Sequence, residues 1–149
     1  DQAYHESPAI TRTNAQLARA LEARDADADA ENVFEWFEDE RARRLDDAEA
    51  MFSAIISREP AFAEAWNKRA TVRFFRGDDA GSANDILQVI KLEPRHFGAL
   101  SGLGMIKVRA GDFQGALQAY RAAQRINPFL PNIEVIIDKL GQRLKGRAL

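Results

Sequence analysis

The sequence predicts an all-α solenoid of stacked antiparallel helix pairs, closed by a C-terminal capping helix. Three observations predict it. Pro60, Pro94 and Pro128 stand 34 residues apart. Gly77-Asp78 returns in the same register as Gly111-Asp112, Ala65-Trp66 as Ala99-Leu100, and Ala70 as Gly104. A large or branched residue sits eight before each proline (Phe52, Ile86, Tyr120), and a small or branched one five before (Ile55, Val89, Ala123). Self-similarity at a fixed period of about 20–50 residues signals stacked supersecondary units. Proline disfavours a helical conformation at the residue before it, so each of the three marks the end of a second helix.

The segments follow in order. Ser7-Pro8 reads as an N-cap followed by proline at the first helical position. Ile10, Leu17, Ala18 and Leu21 then mark one face of a helix over about 8–24. Asp25–Ala30 reads DADADA; it lacks the glycine and terminal glutamate of a calcium-binding loop and is an acidic linker. Residues 1–30 thus form an N-terminal extension. A helix from about Ala30 to Ala42 crowds Val33, Phe34, Trp36 and Phe37 into five positions. That is more apolar surface than one narrow face hides, which marks a docking site for the N-terminal helix or for a partner. A further helix over about 45–58, with Ala48, Phe52, Ile55 and Ile56 inward, ends at Pro60.

Two clearer units come next, at 61–94 and 95–128. In the first, helices over 61–76 and 80–92 flank Gly77-Asp78, with Ala83, Ile86, Leu87, Val89 and Ile90 facing the core. Glycine supplies a left-handed C-cap and aspartate starts the next helix. In the second, helices over 97–110 and 113–126 flank Gly111-Asp112. Gly104, Ala116 and Ala123 let the pair approach closely, with Tyr120 filling the gap. The tail, 129–149, is a capping helix with Ile133, Ile136, Ile137, Leu140 and Leu144 on one side and polar residues on the other.

Composition bounds the function. The chain of 149 residues is 46% apolar and 30% charged, which is ordinary for a globular domain. No run of about 18 apolar residues is present, so no membrane span is expected. The absence of cysteine excludes disulfides and thiolate ligands within the chain. The net charge of -2 is lopsided: residues 1–60 carry 15 acidic against 7 basic residues, and residues 61–149 carry 8 against 14. Such halves either attract each other or meet partners of opposite sign. The chain opens at Asp1 rather than methionine, as expected where an initiator or targeting segment has been removed.

These landmarks resemble the tetratricopeptide repeat. Leu103-Gly104, Gly111-Asp112, Ala116, Tyr120, Ala123 and Pro128 sit at that family's signature positions. The unit before keeps Trp66, Ala70, Gly77 and Pro94 but places Arg73, with Phe74 beside it, where a tyrosine is usual. Residues 31–60 form a degenerate unit, with Trp36 where a small residue is usual and Arg43-Arg44 in place of the turn glycine and its neighbour. The resemblance implies a right-handed solenoid. Trp66–Thr71 and Pro94–Gly104 are similar to small tetratricopeptide proteins of alphaproteobacteria, many of them exported, and related blocks occur in organellar proteins of plants and algae. The setting this implies is periplasmic, or organellar in a chloroplast with possible thylakoid association.

Catalytic readings fail on spacing. Gly98–Gly102 is not a Gly-x-Ser-x-Gly elbow and falls on a helix. Gly102-Leu103-Gly104 lacks the third glycine and preceding strand of a dinucleotide loop. His5 and His96 form no two-histidine metal spacing, and no nucleophile accompanies His96. Basic residues do not alternate with stacking aromatics, so nucleic acid is not an expected partner. No enzyme activity, cofactor or metal is expected.

Recognition remains. By resemblance, the concave groove takes Glu64, Asn67, Lys68, Thr71 and Phe75 from one first helix and Ser101, Gly102, Met105, Val108 and Arg109 from the next. The family's carboxylate clamp needs several cationic and amide donors, and Ser101 and Gly102 stand where further donors would be required. A groove mixing Phe75 and Met105 with Lys68 and Arg109 suits an apolar segment carrying an acidic group, and the stretch Phe34, Trp36, Phe37 offers a second docking surface. The expected role is a non-catalytic scaffold or assembly subunit of a multiprotein complex. The alternative is a transient, chaperone-like factor for exported or organellar clients.

Overall fold

The structure, a computed structural model, describes residues 30–147, with side-chain surroundings for 38–146. Two compact units divide the chain, 1–41 and 42–149. Of the first, only 30–41 is described, as the beginning of a helix; the second carries the architecture below.

Six helices follow in order: α1 (Ala30–Arg58), α2 (Ala63–Phe75), α3 (Asp79–Leu92), α4 (Phe97–Arg109), α5 (Phe113–Ile126) and α6 (Ile133–Arg147). No strand occurs among the described residues. The helix pair expected over 31–60 is instead the single helix α1, which runs through Arg43-Arg44 without a break. Nothing there stops it. Alanine, arginine and leucine are strong helix formers, and no glycine or proline offers a left-handed cap or a missing donor. The helix expected over 8–24 and the acidic stretch up to Asp29 lie outside the described residues.

The two turns inside pairs form as their residues dictate. Gly77 and Gly111 adopt φ of +81° and +77°, a conformation that strains any residue with a Cβ. The amides of Gly77 and Asp78 reach back to the carbonyls of Phe74 (3.0 Å) and Arg73 (2.9 Å), and those of Gly111 and Asp112 to Val108 (3.0 Å) and Lys107 (2.9 Å). This is the Schellman pattern that satisfies orphan carbonyls at a helix end. Asp78 and Asp112 then cap α3 and α5, each accepting from a backbone amide three residues on at 2.9 Å. Between pairs, Trp66 Nε1 donates to the Pro60 carbonyl at 2.9 Å, fixing the turn into α2.

α2 packs on α3 and α4 on α5; the pairs stack through α3 against α4, and α6 closes the row against α5. Ile86 and Val89 of α3 are fully buried among Ala63 and Ala70 of α2 and Ala99 and Ile106 of α4. Tyr120 lies so close to α4 that a Cβ at Gly104 would stand 2.6 Å from its ring. Phe113, Leu117, Ile133 and Leu140 join Tyr120 in a second core, which Ile136, Ile137 and Leu144 flank. Leu87, expected inside, is 51% exposed. The buried stripe of α3 is Ser82, Asp85, Ile86 and Val89, and Leu87 falls one residue past it.

Asp85 is therefore a buried carboxylate, and it organises a charge network. Arg69 donates to both of its oxygens, Nε to Oδ2 at 2.9 Å and Nη2 to Oδ1 at 2.8 Å. Arg73 Nη1 lies 3.2 Å from each of the same oxygens. Arg73 Nε also donates to Glu49 at 2.7 Å, Arg69 Nη1 reaches Ser53 Oγ at 3.2 Å, and Arg76 pairs with Glu49 and, at 2.7 Å, with Asp46. Three arginines of α2 and its C-cap thus fasten it to α1 on one side and α3 on the other. Asp46 and Glu49 from the acidic first sixty residues meet arginines of the basic remainder.

Candidate partner-binding groove

α2 and α4 are the first helices of successive pairs and lie side by side. Between them opens a cavity of ≈ 170 Å³ lined by Asn67, Thr71, Phe74 and Phe75 of α2 and by Ser101, Gly102 and Met105 of α4, with Ala70, Ser82, Ile86 and Gly98 completing the wall. Phe75 is 52% exposed and Met105 44%. The polar rim faces inward. Asn67 Nδ2 donates to Glu64 at 3.2 Å, Thr71 Oγ1 to the Asn67 carbonyl at 3.1 Å, and Ser82 Oγ to the Ala70 carbonyl at 2.6 Å. The hydroxyl donors of Thr71 and Ser82 are used, and the rim offers the side-chain oxygens of Asn67 and Thr71 together with the second N–H of Asn67.

A second, open groove of ≈ 430 Å³ adjoins it, sharing Phe74 and Met105. Val108 and Arg109 of α4, Tyr120 of α5 and Ile136, Lys139 and Leu140 of α6 form the rest of its lining. The capping helix therefore contributes to the surface. Sequence periodicity assigns Ile136 and Leu140 to the core alone and gives no sign of Phe74 or Lys139 in a groove.

The structure redistributes the expected site residues. Asn67, Thr71, Phe75, Ser101, Gly102 and Met105 come together around the first cavity, while Met105, Val108 and Arg109 line the second groove. Glu64 and Lys68 line neither cavity. Glu64 instead accepts from His96 Nε2 at 3.2 Å, and this bond holds its carboxyl below the usual range. His96 Nδ1 accepts from the Ala99 amide at 2.9 Å, so the neutral ring carries its hydrogen on Nε2 and caps α4. Lys68 is exposed.

Arg109 is not the unpaired groove cation that the sequence implied. Its guanidinium pairs with Asp79, donates to the Phe74 carbonyl at 2.6 Å and lies 3.6 Å from the centroid of the Phe74 ring. Asp79 sits 30 residues upstream on α3, a cross-repeat partner that no local pattern reveals. Phe34, Trp36 and Phe37 fall on α1 within 30–41, and their side chains lie outside the described residues. Among the described residues, no cluster of three or more histidines and carboxylates is placed to hold a metal, and no helix is long and apolar enough to cross a membrane.

Comparison with solved structures places this architecture. The chain superposes on the tetratricopeptide repeat domain of Arabidopsis OM64 with a TM-score of 0.65 at 15% identity, covering 68% of this chain and 84% of that one. It superposes on the first such domain of Spaghetti (RPAP3), described as bound to the HSP90 peptide SRMEEVD, with a TM-score of 0.66 at 17% identity, covering 74% and 86%. The TPR2B domain of yeast Sti1, described as a pHsp70 complex, gives 0.61 at 18% identity over 73% and 90%. At such identities the likeness concerns the fold. In sequence, 91 residues are 38% identical to a TPR repeat-containing protein of Rhizobium etli, over 61% of this chain. The chain spans 45% of that relative's length. The sequence pattern of the family described as the tetratricopeptide repeat matches residues 38–89 and 68–131, more than half of the chain. The repeated helix pairs, the left-handed glycine turns and this match together show that the chain belongs to the tetratricopeptide repeat family.

Proposed function

We propose that this protein is a non-catalytic scaffold or assembly subunit that grips a segment of a partner protein in the groove between α2 and α4. The observation that carries the reading is the cavity with Phe75 and Met105 exposed across it, over a floor of Ala70 and Ile86. Large apolar side chains flanking a concave site cost free energy in water and return it when a partner covers them. The oxygens of Asn67 and Thr71 then accept from the backbone amides of an extended segment.

Carboxylate-clamp capture of a chaperone peptide, a binding mode that the Spaghetti complex with the HSP90 peptide brings to mind, fits these residues poorly. Such capture needs several cationic donors around one carboxylate, and Arg109 is already neutralised by Asp79 while Asn67 spends one N–H on Glu64. The periplasmic or organellar setting belongs to the same proposal and is tested by fractionating the source cells.

Site-specific photo-cross-linking at Thr71 in the native host tests the binding mode. A stoichiometric adduct that disappears in Met105→Glu supports the scaffold reading. A sub-stoichiometric, salt-sensitive adduct points instead to a transient accessory factor. No adduct at Thr71, with one formed at Phe34, moves the docking site to the aromatic stretch of α1.

A further inference from the structure

The second groove gives the partner a charge pattern as well as an apolar one. It is continuous with the first cavity, because Phe74 and Met105 line both and stand as the ridge between them. A segment lying across the ridge therefore meets two depressions, one on each side. The second is the larger, at ≈ 430 Å³, and its walls are almost wholly hydrocarbon: Met105, Val108, Ile136 and Leu140, with Tyr120 behind. It is an open groove, suited to a side chain laid in from a polypeptide rather than to an enclosed small molecule.

Charge completes the description. No acidic residue lines this groove; its two charged residues are Arg109 and Lys139. Arg109 is neutralised by Asp79 and held against Phe74. Lys139 is exposed, and among the described residues no ion pair engages it. A lone ammonium above an apolar groove favours a carboxylate placed beside an apolar anchor, where partial desolvation strengthens the pair.

Resting on the groove reading above, we infer that the partner segment carries two apolar anchors, one for each side of the Phe74–Met105 ridge, with an aspartate or glutamate beside the second, facing Lys139. Lys139 is then the specificity-determining cation, in place of Arg109 and Lys68.

Selection from a displayed random-peptide library on the full chain tests this. Affinities of the selected peptides are then measured by fluorescence anisotropy for the wild type, Met105→Glu and Lys139→Glu, with dodecanoate as a competitor. The inference expects selected peptides to share two apolar residues and an adjacent acidic one. Lys139→Glu should weaken them about tenfold or more, with recovery when the peptide's acidic residue becomes lysine. Melting of the variant should be unchanged, since Lys139 is exposed.

Peptides that Met105→Glu abolishes but Lys139→Glu leaves within about twofold overturn the inference while the groove reading stands. Failure to select any peptide, together with no cross-link at Thr71, overturns both. Saturable binding of dodecanoate without peptide binding assigns the groove to a free fatty acid and overturns the inference as stated.

Discussion

Among the described charged positions, Asp85 is the residue whose loss should cost this fold most. Its side chain is 2% exposed and carries a negative charge that Arg69 grips with two bonds, at 2.8 and 2.9 Å, and Arg73 with two more, at 3.2 Å each. Asp85→Ala leaves Arg69, 14% exposed, with Ser53 and the face of Trp66 as its remaining partners. Arg73 keeps Glu49. Breaking a buried pair by removing one partner costs about 3–5 kcal/mol, because the other charge stays desolvated. Asp85→Asn keeps the shape and one acceptor, and should cost about 1.5–3 kcal/mol, the range for hydrogen bonds to charged groups.

An apolar replacement of the whole triad, combining Asp85→Leu with Arg69→Met and Arg73→Leu, removes charges and desolvation together and should restore most of the loss. Asp46, 59% exposed, serves as the control, since Asp46→Ala should change stability by less than about 1 kcal/mol. Urea titration followed by circular dichroism gives all four numbers. An Asp85→Ala loss under about 1 kcal/mol, no larger than that of Asp46→Ala, would show that the buried network does not fasten α2 to α3.

Three further outcomes are expected. Tyr120→Ala should cost about 3–5 kcal/mol in the same titration, since the ring fills the space left by Gly104 and joins the α5–α6 core. Burial raises the Tyr120 phenol above its ordinary 10.0, so its stabilising contribution is complete below pH 10.0 and falls as pH climbs toward the raised value. Tyr120→Phe should flatten that alkaline decline, as read by unfolding at successive pH values. For Glu64, whose carboxyl His96 holds below 4.5, the contribution is present above pH 4.5 and is lost as pH falls through the lowered value. His96→Asn keeps a capping side chain for α4 but removes that bond, so carboxyl NMR should find Glu64 titrating closer to 4.5.

Much of this fold was legible in the sequence because its turns are written in residues with special backbones. Gly77, Gly111, Asp78, Asp112 and the spaced prolines each do locally what they do in the structure. Failure came where a local signal was absent or where its meaning depended on another helix. Arg43-Arg44 stands in a turn position by register, yet lacks any breaker, and α1 continues through it. On α3 the expected Ala83, Ile86, Val89 and Ile90 do face the core, and Leu87 alone does not, because half of the buried stripe, Ser82 and Asp85, is polar. Hydrophobic patterning extended that face to Leu87. Arg73 in place of an aromatic was the visible clue to Asp85, but the pairing lies across helices. Asn67, Thr71, Phe75, Ser101, Gly102 and Met105 line the first cavity at positions the repeat register picks out, whereas Glu64 and Lys68 at equivalent positions line neither cavity. Phe74 and Lys139 carry no local signal, since their place in the second groove depends on residues of other helices.

The two ion-pair systems explain why so charged a chain presents so apolar a groove. Arg69, Arg73 and Arg76 hold α2 to α1 and α3, while Asn67 and Thr71 line the cavity. Positions two apart on a helix are separated by roughly 200°, so these sets face nearly opposite ways. Arg109, which enters the groove, is turned onto Asp79 and the Phe74 carbonyl, and its stacking fixes the ring that separates the two depressions. Charge thus serves to hold helices together or to shape a wall. The interior is left to Phe75, Met105, Val108, Ile136 and Leu140, with Lys139 as its lone uncommitted cation among the described residues. A surface of that kind gains affinity from burying apolar side chains and discriminates through one charge, because misplacing an acid forfeits a single strong bond while the apolar contacts persist. Lowering salt should therefore change the partner's association only modestly, and a steep dependence would place the contact on the exposed charges elsewhere.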